Sequence, residues 1–168
     1  MVRGRVSQGT VSAGDELEIV GLASALKAKV TGIEMFNKVL ARAEAGDNIG
    51  LQLGDVPAEG IVPGMVVARP GSILPHTKFG ALVYVLRKEE GGRTSPVPNG
   101  YAPRFYLRTA DVPGVMKLAD GSASAQLGDD VEVEIELVSP VAMDPGLHFA
   151  IREGGRTVGV GVVTRVIE

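Results

Sequence analysis

The chain has 168 residues, of which 45% are hydrophobic and 22% charged, enough for one large or two small domains with a real core and too apolar for a disordered chain. Its formal net charge of −3 speaks against a domain that is basic overall, as most nucleic-acid binders are, while leaving room for a local basic patch. The absence of cysteine excludes disulfides and thiol catalysis, no apolar run approaches the roughly 18 residues of a membrane span, and the opening Met1-Val-Arg-Gly-Arg-Val6 lacks the apolar core of a secretion signal, so a cytoplasmic location is expected.

In chain order, alternation of apolar and polar residues predicts strands over residues 16–20, 27–36, 48–53, 65–69, 82–86, 104–108, 131–137, 147–152 and 157–167. The stretch 131–137 shows the pattern most plainly, with Val131, Val133, Ile135 and Leu137 on one face and three glutamates on the other, as in a strand half in water. Residues 37–44 alone carry a helical flavour, in a segment short and poorly capped. A recurrent phrase introduces several strands: Ala13-Gly-Asp15, Ala45-Gly-Asp47 and Leu127-Gly-Asp129, with Pro63-Gly64 as a variant. Glycine supplies a positive φ and aspartate bonds nearby backbone, so each phrase predicts a tight turn. Their unequal spacing fits a barrel rather than a solenoid repeat. Many short strands with frequent turns predict an all-β fold, and Arg69-Pro-Gly-Ser-Ile-Leu-Pro75 is the expected boundary between two small antiparallel barrels, residues 1–71 and 72–168.

Chemistry is sparse. The two histidines, His76 and His148, lie far apart, each on or beside a strand, and no acids stand at metal-ligand spacing. There is no Gly-x-Ser-x-Gly elbow and no Gly-Lys dipeptide, so the phosphate-binding P-loop pattern is missing. Asn37-Lys38 does not complete a guanine-reading Asn-Lys-x-Asp. No enzymatic activity is therefore expected of this chain. Two Gly-Gly-Arg triplets, 91–93 and 154–156, either present amides and a guanidinium to phosphate or form plain turns with a solvated arginine. Arg87, Lys88, Arg93, Arg104 and Arg108, interleaved with Tyr101, Phe105 and Tyr106, are either a phosphate-contacting patch or a solubilising face over barrel filling.

Longer phrases carry a resemblance. Thr31-Gly-Ile-Glu-Met-Phe36, Ala45-Gly-Asp-Asn-Ile-Gly50 and the run from Ala68 to Phe79 closely resemble domain 2 and the following linker of elongation factor Tu. Glu90-Gly-Gly-Arg93, Asn99-Gly-Tyr-Ala-Pro103, Phe105-Tyr-Leu-Arg-Thr-Ala-Asp-Val112 and the run from Phe149 to Gly159 resemble its domain 3. The match spans the chain without gaps. It implies two translation-factor barrels that, with a GTP-binding domain, hold aminoacyl-tRNA and bring it to the ribosome. GTP and Mg would bind that other domain, and no cofactor is expected in this chain. The implied partners are aminoacyl-tRNA, the GTP-binding domain, an exchange factor and the ribosome, with no membrane.

Carried over by position, the resemblance implies that Glu34 lies beside the terminal adenosine, Asn48 near the aminoacyl group, and Arg93, Arg104 and Gly154 at the T stem. A carboxylate accepts from ribose hydroxyls, and an amide pairs with amino or carbonyl groups. The chain departs from the pattern at Arg3 (usually Thr) in the first barrel, and in the second at Thr94 (basic or imidazole), Arg104 (Gln), Pro113 (Thr) and Ser139 (basic or His); these four predict weakened T-stem binding. It also starts inside the first strand region of domain 2, so an incomplete first strand and a weaker first barrel are expected. Two alternatives to a working tRNA-binding module are a protein-interaction module that docks a nucleotide domain or exchange factor, and a remnant that binds nothing.

Overall fold

The computed structural model describes residues 1–54 and 56–168. Sixteen strands and two short 3-10 turns make up the described regular structure. In chain order the strands are β1 (Val2–Arg5), β2 (Thr10–Ser12), β3 (Glu16–Gly21), β4 (Ala23–Met35), β5 (Lys38–Leu40), β6 (Arg42–Glu44), β7 (Asn48–Gly54), β8 (Val66–Ala68), β9 (Leu74–Val85), β10 (Val97–Pro98), β11 (Arg104–Leu107), β12 (Ala110–Leu118), β13 (Ser124–Ala125), β14 (Asp130–Met143), β15 (His148–Glu153) and β16 (Arg156–Val166). The chain is all-β, as the alternation predicts.

Two compact units emerge. The first comprises Met1–Ile19, Ser24–Ile61 and Val67–Ser72; the second takes Ile73–Glu168 together with Val20–Ala23 and Val62–Val66. In the first unit the hydrogen-bonded path runs β1-β7-β4-β3-β8, with β5 added to β4 and a separate β2–β6 ribbon. Its core is Val11, Val30, Ile33, Ala43, Ile49 and Leu51. In the second unit β11-β12-β14-β9-β16-β15 close into a barrel, which leaves none of those six strands with an open edge.

The barrel interior is filled by pairing large side chains with glycines. Phe149 lies opposite Gly161 in the β15–β16 register, and a Cβ on Gly161 would stand 2.5 Å from the Phe149 Cζ atom. Phe105 covers Gly114 in the same way, with Cε2 at 3.1 Å from the added Cβ position. Phe79 meets Phe149 edge to face, their ring centres 5.6 Å apart, the arrangement the ring quadrupole favours.

The Gly-Asp phrases are one turn used three times. Gly14, Gly46 and Gly128 have φ of 96°, 100° and 87°. In each case the following aspartate accepts a backbone N–H from three residues earlier: Ser12 to Asp15 Oδ2 at 2.8 Å, Glu44 to Asp47 Oδ2 at 2.9 Å, Gln126 to Asp129 Oδ2 at 3.2 Å. The aspartate N–H returns to the carbonyl of that same residue. A reciprocal pair of bonds thus closes each turn before the next strand begins.

Three differences from the sequence reading have physical causes. Residues 37–44, whose faint helical flavour is too short and poorly capped to predict a helix, form the unpredicted strands β5 and β6, because Phe36 (φ 51°) and Asn37 (φ 62°) make a two-residue reversal of the type hairpins favour. β5 then pairs back on β4, Val39 opposite Glu34. Strand β12 escaped notice because Pro113-Gly114 reads as a turn, yet Val112, Met116 and Leu118 are buried on its inner face. Strand β9 starts at Leu74 and runs through Pro75, which pairs with Ala142; proline is tolerated at a strand's beginning.

A loop brace in the second unit has a pH signature. Tyr84 donates its hydroxyl to Glu90 Oε1 at 2.6 Å, and the Arg87 N–H donates to the same oxygen at 3.0 Å. These two bonds, the tyrosine's first, hold the Glu90 carboxyl below its ordinary value. A depressed carboxylate contributes stability above its unfolded pKa and loses it as pH falls through the folded one. Tyr84→Phe is therefore expected to be less stable than the parent chain at pH 7, with the gap closing on the acid side of the ordinary carboxylate range. Denaturant midpoints across pH read this out, and a gap independent of pH would contradict the brace.

Candidate functional site

Antiparallel register brings the two predicted end-binding residues to one place. Arg3 of β1 pairs with Gly50 of β7, and Gly50 pairs on its other side with Glu34 of β4. Residues opposite one another in register share a face of the sheet. One step along, Arg5 pairs with Asn48, and alternation puts both on that same face. Arg3, Arg5, Glu34, Asn48 and Phe36 line an open pocket of about 500 Å³.

The floor of this pocket is Gly50, beside which the Arg3 side chain runs: its Cγ would lie 3.9 Å from a Cβ added at Gly50, and Met1 Sδ would lie 2.8 Å away. Gln52 Nε2 reaches Glu34 Oε1 at a long 3.4 Å, which leaves most of the carboxylate's accepting capacity free. At the lip, Phe36 sits in the left-handed region and is 88% exposed. That conformation costs a non-glycine residue about 1–2 kcal/mol, and an exposed ring recovers none of it by burial. Strain of this kind concentrates at binding sites.

A second cluster forms in the other unit, around the two Gly-Gly-Arg triplets. Gly154 (φ 57°) and Gly155 (φ 79°) make the two-residue turn between β15 and β16, where Glu153 pairs with Arg156. Arg93 Nη1 meets Glu153 Oε1 at 2.6 Å and Arg156 Nη1 reaches the Gly92 carbonyl oxygen at 3.5 Å, so each triplet is tied to the other. Arg104 lies opposite Arg152 in the β11–β15 register. Arg93 and Gly154 are thus neighbours through Glu153.

The charges at this cluster are largely compensated. Arg93 also donates to Ser95 and stacks over the Tyr101 ring at 4.8 Å; its side chain is 17% exposed. Burial works to lower its pKa, but Tyr101 and Glu153 outweigh that and the net shift is upward. Burial raises the Tyr101 phenol, with Glu153 adding to the effect and Arg93 opposing it; the hydroxyl itself is buried without a partner. Arg104 Nε is paired with Asp111 Oδ1 at 2.7 Å. Arg152 donates to the Gly155 carbonyl at 2.6 Å, stacks on Tyr106 at 5.3 Å and keeps a buried, unpartnered Nε. Tyr101 was noted in the sequence as part of the basic and aromatic patch; Glu153, Arg152 and Asp111 were not singled out there, since only the barrel's registers bring them together.

His76 and His148 sit on different strands, β9 and β15, and among the described residues no group of three potential metal ligands occurs. Among the described residues no helix is long and apolar enough to cross a membrane.

Comparison with protein families accounts for both units. The profile described as Elongation factor Tu domain 2 matches residues 1–68, and that described as Elongation factor Tu C-terminal domain matches residues 72–167. With a barrel-forming all-β fold and matches over nearly its whole length, the chain belongs to the elongation factor Tu family, as its domain 2 and C-terminal domain.

Proposed function

We propose that this chain is the aminoacyl-tRNA-binding part of a translation factor, working in the cytoplasm with a GTP-binding domain to carry charged tRNA to the ribosome. The row Arg3–Gly50–Glu34, with Asn48 opposite Arg5 on the same face, carries this reading. It supplies one pocket with a carboxylate for ribose hydroxyls, an amide for the aminoacyl group and an exposed aromatic at the lip. The Gly-Gly-Arg cluster then takes T-stem phosphates, weakly, because Arg93 and Arg104 already hold carboxylate partners. Charged groups that are paired internally release fewer counterions on binding.

The test is binding of labelled aminoacyl-tRNA against deacylated tRNA, with and without a GTP-loaded nucleotide domain. Preference for the charged form is expected, and Glu34→Ala should reduce affinity about tenfold, the loss of one charge-assisted hydrogen bond. Equal binding of charged and deacylated tRNA, unaffected by Glu34→Ala, would reject the reading.

A second reading, a protein-docking module, is favoured by one observation. The outer surface of the closed barrel carries an open apolar depression of about 650 Å³ lined by Leu82, Tyr84, Tyr106, Ala150, Val160 and Val162. Such a face suits a nucleotide domain or exchange factor. Association through it would persist at salt concentrations that dissolve tRNA binding.

A further inference from the structure

The pocket around Gly50 is electrically two-sided. Glu34 stands on one lip, and Arg3 stands on the other in the same cross-strand row, two strand spacings or about 10 Å away. That spacing is between their backbones, and among the described residues the two side chains form no ion pair with each other. Among the described residues, neither Arg3 nor Arg5 takes part in any ion pair. Both are exposed, Arg5 opposite Asn48 and Arg3 opposite Gly50 itself. The two guanidiniums are therefore available to a ligand, in contrast to Arg93 and Arg104 in the other unit.

We propose that Arg3 makes this pocket selective for an anionic acyl group, so that the chain prefers tRNA carrying an aspartyl or glutamyl residue over one carrying the corresponding amide. This rests on the reading that the pocket holds the aminoacylated 3′ end. With ribose hydroxyls at Glu34 and the acyl group at Asn48, the acyl side chain extends along the β7 face towards β1. There Arg5 faces Asn48 directly and Arg3 follows two residues earlier on the same face. A planar guanidinium donates two parallel hydrogen bonds to a carboxylate, which a neutral amide cannot match in charge or geometry. Glu34 disfavours an anion at its own lip, so charge alone orients such a ligand across the floor. The exposed position of Arg3 sets the scale: a solvated pair of this kind is worth a few-fold in affinity, not thousands.

The experiment compares one tRNA body charged with aspartate or with asparagine, and the same tRNA deacylated, binding to the full chain together with a GTP-loaded nucleotide domain at low and high salt. Expected is a preference of about fivefold for the aspartyl form at low salt, shrinking as salt screens the pair. Arg3→Thr should abolish the preference and Arg3→Lys should keep part of it, with thermal unfolding of each variant confirming an intact fold. Equal affinity for aspartyl and asparaginyl forms, both above deacylated tRNA, would overturn this inference while leaving the tRNA-binding reading in place. A preference that survives Arg3→Thr would overturn it as well. Failure to distinguish either charged form from deacylated tRNA would remove both.

Discussion

Phe149→Ala should destabilise the second unit by about 3–5 kcal/mol, the usual cost of deleting a buried phenylalanine. For a domain of this size that corresponds to a midpoint lowered by at least about 12 °C. The ring is 4% exposed, sits edge to face on Phe79 and 6.3 Å from Phe105, and fills the space left by Gly161 on the next strand. A companion change probes the same contact from the other side. Gly161→Ala puts a Cβ 2.5 Å from the ring's Cζ and 3.1 Å from the Leu82 carbonyl oxygen, an overpacking expected to cost about 1–3 kcal/mol. In a Phe149→Leu background much of that clash is gone, so the two substitutions should be strongly non-additive. Additive effects in thermal or denaturant unfolding would show that ring and glycine do not share one space.

Amides of the first unit should exchange with solvent at least about tenfold faster than those of the closed barrel, and denaturant should unfold the chain in two steps, first unit first. Two features point the same way. Among the described residues, the first unit's core cluster has six buried apolar residues, none aromatic, whereas that of the second has 21, including Phe79, Phe105 and Phe149. The sheet path of the first unit ends at β1 and β8, while the six main strands of the second close on themselves. Burial at roughly 25 cal/mol per Å² of apolar surface makes the larger core the more stable, and closure removes the frayed edges at which opening starts. Hydrogen exchange followed strand by strand, β4 and β7 against β9 and β14, measures the difference directly. Equal protection in the two units, or one cooperative transition, would contradict it.

Much of the strand content was legible because burial alternates locally. The run 131–137 gives its inner and outer faces residue by residue, and β14 follows it, though it extends to Met143 through an irregularity after Glu136. The Gly-Asp turns were legible for the same reason, since each is closed by atoms within three residues of one another. Where local signals conflict, the reading failed. Pro113-Gly114 hid β12, although Gly114 is needed there to admit the Phe105 ring. The helical flavour of 37–44 gave way to a hairpin because a two-residue reversal at Phe36 and Asn37 lets β5 pair with β4.

By itself, the sequence determined the all-β class, most of the strands, the repeated turn and, through its long phrases, membership of the elongation factor Tu family. These rest on residues close together in the chain, where periodicity and turn chemistry act. Only the tertiary structure decided which residues meet. Arg3 and Glu34 are 31 positions apart, and they face each other across Gly50 because β1, β7 and β4 pair in one particular register. Arg93 is compensated by Glu153 across 60 positions of sequence, while among the described residues Arg3 and Arg5 take part in no ion pair. Register is a property of which strands pair, and pairing is settled by burying the whole apolar face at once, so no local pattern in the chain could have sorted the paired arginines from the available ones.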